Sequence, residues 1–125
     1  MPEKPVATKL LIKPGAAVWV SDAAFRGLLG PLPDGVTSAS SMSGAGVAVV
    51  IAQSAIQLRA LVDSLRSELA SPPVLWVLYR KGNRADVNRD SLWQLLADYG
   101  IRPITQVAVD DEWSALRFRR LKPGE

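Results

Sequence analysis

GVAVVIA at residues 46–52 and PVLWVLY at residues 73–79 are the two stretches that decide the fold. Neither alternates apolar with polar residues, so each suits a strand covered on both faces, as in a parallel sheet. Parallel neighbours need a crossover connection, usually a helix, and the residues between the two runs supply one. Ser54 with Gln57 three positions later forms a capping-box pattern. Leu58, Leu61, Val62, Leu65 and Leu69 then recur at helical spacing, with Arg59, Asp63, Arg66 and Glu68 turned elsewhere. Ser71-Pro72-Pro73 ends the helix and admits the second strand.

Outward from this unit, Lys13-Pro14-Gly15 reads as a turn into a strand over residues 16–21, with Asp22 at its exit. A short helix over 23–29 ends at Gly30, and Pro31, Pro33, Asp34 and Gly35 make a loop. Residues 36–40 read as a weak edge strand, and the small, polar stretch 37–46 as a flexible loop. Asn88 caps a helix whose Leu92, Leu95, Leu96 and Tyr99 share a face and which ends at Gly100. Pro103 opens the last unit, two strands within 104–120 joined around Asp110-Asp111-Glu112. Trp19, Trp76 and Trp93 fall within these patterns as packing residues. The fold class is α/β: a single small Rossmann-like three-layer domain over 1–125, with a mostly parallel sheet and an antiparallel C-terminal hairpin. Residues 1–9 read as a loose lead-in and 121–125 as a tail.

The chain has 125 residues, 48% hydrophobic and 22% charged, which suits one folded domain with a real core. It contains no cysteine and no histidine. Disulfides, thiolate nucleophiles, Cys/His zinc sites, serine–histidine triads and histidine acid–base steps are thereby excluded within it. No secretory segment or membrane span is visible, so a cytoplasmic location is expected. Fifteen basic against twelve acidic residues leave a net charge of +3, well short of a dedicated nucleic-acid binder. Basic residues do bunch at Arg80, Lys81, Arg84 and Arg89, and again at Arg117, Arg119, Arg120 and Lys122.

In open α/β sheets ligands gather at the carboxyl ends of the strands, where strand order reverses. That edge collects Ser21 and Asp22, then Gln53 and Ser54, then residues 80–83, then 110–114. Polar strand ends and capping residues account for much of it in any protein of this class. Lys81 and Arg80 beside a helix amino terminus suit a phosphate, and Gly82-Asn83 would let the backbone approach. Asp110, Asp111 and Glu112 offer oxygen ligands for a hard cation, although consecutive acids in a turn are usually solvated, and no metal site is expected. Trp113 suits either stacking on a ligand or packing in the core.

The strand plan is similar to the sheet of methyltransferases that use S-adenosylmethionine. Those enzymes carry a glycine-rich loop after the first strand, so that the backbone can approach the cofactor. Here that position reads Ser21-Asp22-Ala23-Ala24-Phe25, with no glycine. The segments YRKGNRADVNRDSLW (79–93) and YGIRPITQVAVDDEWSALRFRRLKPGE (99–125), with KLLIKPGAAV near the start, resemble a family of short bacterial proteins known only as a domain of unknown function. The resemblance implies family positions at Lys81-Gly82-Asn83, Asp86, Asn88-Arg89-Asp90, Gln106, Asp110 and Trp113-Ser114, with Arg80 where a proline is common. It implies no activity.

Three functions follow as expectations. The first is a non-enzymatic module that binds a small anionic ligand or a protein partner at the carboxyl edge, through Asp22, Gln53, Lys81, Asn83, Arg89, Asp110, Trp113 and Ser114. The second is a methyltransferase-like enzyme with an altered cofactor site and Asp22 or Asp110 as base. The third is nucleic-acid binding by the arginine-rich final strand. The sequence specifies no cofactor and no catalytic residue, and self-association through a sheet edge stays open.

Overall fold

The computed structural model describes residues 6–69, 72, 74–81 and 88–120. Strands β1 (Ala17–Val20), β2 (Thr37–Ser38), β3 (Val47–Ile51), β4 (Val74–Arg80), β5 (Ile101–Ala108) and β6 (Trp113–Arg120) form one sheet. Their spatial order is β2-β1-β3-β4-β6-β5. The first four strands are mutually parallel, and β6 and β5 close the sheet as an antiparallel hairpin. This is the α/β plan with a C-terminal hairpin that the apolar runs demand.

β3 is buried along its whole length, as its unbroken apolar sequence requires. Its residues divide by parity between two cores. Ala48 and Val50 join Val77, Leu116 and Phe118 beneath α2 (Ala55–Ser64) and α3 (Arg89–Ala97). Val47, Val49 and Ile51 join Trp76, Leu78 and Trp113 on the opposite face. The short helix α1 (Val6–Lys9) and the 3-10 helix Ala23–Leu29 cover that second face, with Ala7, Leu10 and Leu29 buried against it. The result is three layers.

The lead-in is therefore not loose from Val6 onward. α1 is fixed because Ala7 and Leu10 are buried and because the Trp76 indole donates to the Leu10 carbonyl at 2.9 Å. Residues 1–5 and the expected tail at 121–125 lie outside the described residues. The stretch expected to be flexible, 37–46, carries the β2 pairing with β1 and a 3-10 turn, Met42–Gly44, in which Met42 is fully buried.

The helix caps follow the sequence with one shift. Ser54 Oγ accepts from the Gln57 amide at 3.0 Å, but the Gln57 carboxamide oxygen reaches the amide of Gln53 at 2.9 Å, not that of Ser54. α2 stops at Ser64, and Leu69 enters the core from the turns that follow. Asn88 and Ser91 cap α3 reciprocally. Beyond it Gly100 takes φ +79°, the left-handed position at which glycine ends a helix without strain. β5 begins at Ile101, three residues before the expected start, and includes Pro103. Proline is tolerated because β5 is the terminal strand, and the pairing register shifts between Pro103 and Thr105. Trp93 does not pack: it is 47% exposed.

Candidate functional site

β1 has β2 on one side and β3 on the other, so strand order reverses at the carboxyl ends of β1 and β3. The chain leaves β1 as Ser21-Asp22. The Ser21 amide donates to the Val49 carbonyl at 2.9 Å, and its hydroxyl accepts the Ile51 amide at 2.8 Å, which holds the two strand ends together. Asp22 stays extended and caps the 3-10 helix, with Oδ1 accepting from the Ala24 amide at 3.0 Å. Its other oxygen faces the Gln53 side-chain amide at 3.5 Å. Asp22 and Gln53, distant in sequence, thus meet across the point of reversal.

A second cluster forms where β4 meets the hairpin turn. Asp110 Oδ1 accepts from the amides of Glu112 at 2.8 Å and Trp113 at 2.7 Å, an Asx turn that shapes the connection. The Lys81 amide donates to the Glu112 carbonyl at 2.8 Å, tying the end of β4 to the same turn. Trp113 is only 3% exposed. The Phe25 ring stands edge-on to it at 5.4 Å, and the Arg80 guanidinium lies 5.1 Å from its ring centre. Arg80 also approaches Glu112 at 3.7 Å. With both groups half-exposed, that ion pair contributes at most about 1 kcal/mol.

Phe25 joins the two clusters, because it leaves the β1 end and reaches a residue of the hairpin beyond β3 and β4. Trp113 is therefore part of the wall of the core. Ser114 is likewise interior, 5% exposed and paired with Tyr79 on one side and Ala108 on the other. Of the expected site residues, Asp22 and Gln53 form one group, and Lys81, Asp110, Trp113 and Ser114 the other. Asn83 lies outside the described residues, and Arg89 is placed only as the first residue of α3. Among the described residues no group of three or more acidic side chains is placed to hold a metal ion. No helix described is long and apolar enough to cross a membrane.

The sequence reading missed two features. Tyr99 donates a short hydrogen bond to the Asp63 carboxylate, which also pairs with Arg66 at 3.3 Å, and the Arg66 guanidinium lies 4.8 Å from the Tyr99 ring centre. The Tyr99 hydroxyl first, and Arg66 second, hold the Asp63 carboxyl below its ordinary value; the same carboxylate raises Tyr99 and Arg66. This exposed clamp joins the end of α2 to the turn after α3, and no local motif announces it. The second feature is the exposure of Trp93. Here a signal existed: Leu92 and Leu96 define the buried face of α3, and one residue further round the helix turns away from it.

No family model and no curated protein matches the chain. Solved structures do. Over the whole chain it is similar to a protein of the NADB-Rossmann superfamily from Streptococcus agalactiae, at 12% identity and a TM-score of 0.58, covering 71% of that protein. It is similar over 96% of its length to the B. subtilis m1A22 tRNA methyltransferase TrmK, at 10% identity and a TM-score of 0.54, covering 67% of that chain. Over 94% it is similar to the N-methyltransferase NodS from Bradyrhizobium japonicum, at 12% identity and a TM-score of 0.52, covering 93% of that chain. The fold is thus Rossmann-like, of the kind methyltransferases use. At these identities the likeness concerns the fold alone.

S-adenosylmethionine does not fit the first loop in the manner of a glycine-rich turn. From Ser21 to Arg26 every residue carries a side chain. The Asp22 carboxylate is engaged by Ala24 and Gln53, and the Phe25 ring rests against Trp113. Close approach of a ligand to this backbone would have to displace those contacts.

Proposed function

We propose that the protein is a non-enzymatic binding module on a methyltransferase-like fold, taking a small anionic ligand at the carboxyl edge of its sheet beside Lys81. One observation carries this reading. At the reversal point the polar side chains hold the protein's own loops, with Asp22 bonded to Ala24 and Gln53, and Ser21 bonded to Ile51. A carboxylate so engaged is poorly placed to abstract a proton. Asp110, the other candidate base, accepts two amides of its own turn. Lys81 instead follows β4 at the same edge, with its backbone anchored by Glu112.

A titration followed by backbone amide resonances tests it, with inorganic phosphate, nucleotides and S-adenosylmethionine as separate probes. The expected result is that phosphate-bearing probes move the Lys81 amide and that S-adenosylmethionine leaves residues 21–25 unmoved. Lys81→Ala should weaken the phosphate response while changing stability by less than about 0.5 kcal/mol. The second reading, a methyltransferase-like enzyme with an altered cofactor site, is favoured by the shared fold. Saturable movement of the Ser21 to Phe25 amides by S-adenosylmethionine would establish it in place of the first.

A further inference from the structure

The amino-terminal ends of β1, β3 and β4 lie at the end of the sheet opposite the carboxyl edge, and a hollow opens there. Leu11, Lys13, Ala16, Gly46, Val47 and Val74 line about 310 Å³. That volume falls at the small end of pockets that take small molecules. Val47 belongs to the core, and Ala16 and Val74 pack against the same cluster, so the floor is apolar.

One wall residue is held there at an energetic cost. α1 ends in a Schellman motif, in which the Ile12 amide donates to the Ala7 carbonyl at 2.9 Å and the Leu11 amide to the Thr8 carbonyl at 3.1 Å. The left-handed position of that motif usually holds glycine. Here it holds Leu11, at φ +65°, the one non-glycine residue with positive φ among the described residues. A side chain is disfavoured in this conformation, and burial compensates little, since Leu11 is 41% exposed. The apolar pair that accompanies the motif is supplied without it, by Ala7 and Ile12 in the core. What the Leu11 side chain does is wall the hollow. Backbone strain kept where the fold gains little points to use by a ligand.

We propose that this hollow binds a small amphipathic carboxylate, a straight-chain acid whose tail lies along Leu11, Val47 and Val74 and whose head meets the Lys13 ammonium. Charge sets the head group. Among the described residues Lys13 is the one charged group lining the hollow, and none of them bonds or pairs with its ammonium. Its backbone is fixed by the turn into β1, where the Ala16 amide donates to the Lys13 carbonyl at 3.1 Å. The carbonyls of Val6, Ala7 and Thr8, which would oppose an anion at the end of α1, accept from Leu10, Ile12 and Leu11. A single cation over an apolar floor suits a singly charged head with an apolar tail.

Other occupants fit less well. A peptide adding as a strand needs an open sheet edge, but β1, β3 and β4 each have a neighbour on both sides. Nucleic acid needs several cations and an aromatic face, and among the described residues the lining offers one lysine and no ring.

A titration of the whole protein with hexanoate, octanoate and decanoate, followed by backbone amide resonances, tests the proposal. Octanol serves as the tail without charge and acetate as the charge without tail. The expected result is saturable movement of the amides of residues 11, 13, 16, 46, 47 and 74 by the longer acids, weaker movement by octanol and none by acetate. Lys13→Gln should bind octanoate about fivefold more weakly, the worth of an ion pair at an exposed rim, and bind octanol unchanged. Leu11→Gly should weaken both probes about tenfold, through lost apolar contact, while its melting temperature stays level or rises because glycine takes positive φ without strain. No saturable movement of these amides overturns the proposal, as does equal affinity of Lys13→Gln and wild type for octanoate. A lower melting temperature for Leu11→Gly also overturns it, since Leu11 would then serve the fold, and so does probe-free, concentration-dependent movement of the same amides, which would assign the hollow to a second copy of the chain. None of these results depends on Lys81 or on the phosphate titration.

Discussion

The carboxyl edge of the sheet and the outer edge at β5 treat similar residues in opposite ways. At the first, a tryptophan is enclosed: Phe25 and Arg80 cover Trp113, and neighbouring polar groups bond one another. At the second, Trp93 stands open beside Ile104 over a hollow. The enclosed ring lies on the edge at which this class of fold ordinarily takes its ligand. The lesson is that fold places a potential site, while side chains decide whether it stays open.

The sharpest way to break the comparison is to truncate the enclosed ring. Trp113→Ala should cost about 3–5 kcal/mol, since it empties core volume and removes the contact that Phe25 makes across the edge. Chemical denaturation measures this, and a loss below about 1 kcal/mol would show that the edge is not held by this ring. Asp110→Ala should cost less, about 1–2 kcal/mol, because two turn amides lose their carboxylate partner, as at a helix cap. The same denaturation series ranks it. An Asp110→Asn variant recovering much of the loss would identify the hydrogen bonds, not the charge, as the cause.

A smaller, pH-dependent effect is expected at the clamp that joins the helical layer beneath both edges. The folded-state value of Asp63 lies below its ordinary 3.8, so its contribution is present above pH 3.8 and is lost as pH falls through the lower folded value. The Tyr99 hydroxyl, raised above its ordinary 10.0, contributes fully below pH 10.0 and loses its contribution as pH rises through the higher folded value. Wild type and Asp63→Asn should therefore differ at neutral pH and converge in strong acid; a difference that persists unchanged in acid would refute the assignment. The smallest effect belongs to the open ring. Trp93→Ala should change stability by no more than about 0.5 kcal/mol, roughly a tenth of the Trp113 loss. Comparable losses at the two tryptophans would erase the distinction between the edges.

Local chemistry was enough for much of the architecture. The unbroken apolar runs at β3 and β4 required cover on both faces, and the Ser54 and Asn88 caps placed the starts of α2 and α3. Alternation of Leu116 and Phe118 with Arg117 and Arg119 marked the last strand. These signals are legible because strand and helix periods and capping hydrogen bonds act over a few residues. The start of β5 was not, since Pro103 argues locally against a strand and only the absence of an outer neighbour makes it acceptable.

The sequence by itself thus determined the element types, the parallel core and the chemistries denied to a chain without cysteine or histidine. Only tertiary structure decided which tryptophan is enclosed, that Asp22 meets Gln53, that Phe25 reaches Trp113, and that Asp63 bonds Tyr99. Each of those outcomes joins residues far apart in the chain, so it depends on strand order and layer packing, which no short stretch encodes. A single indole is equally apolar at both edges; its surroundings make it core at one and open surface at the other.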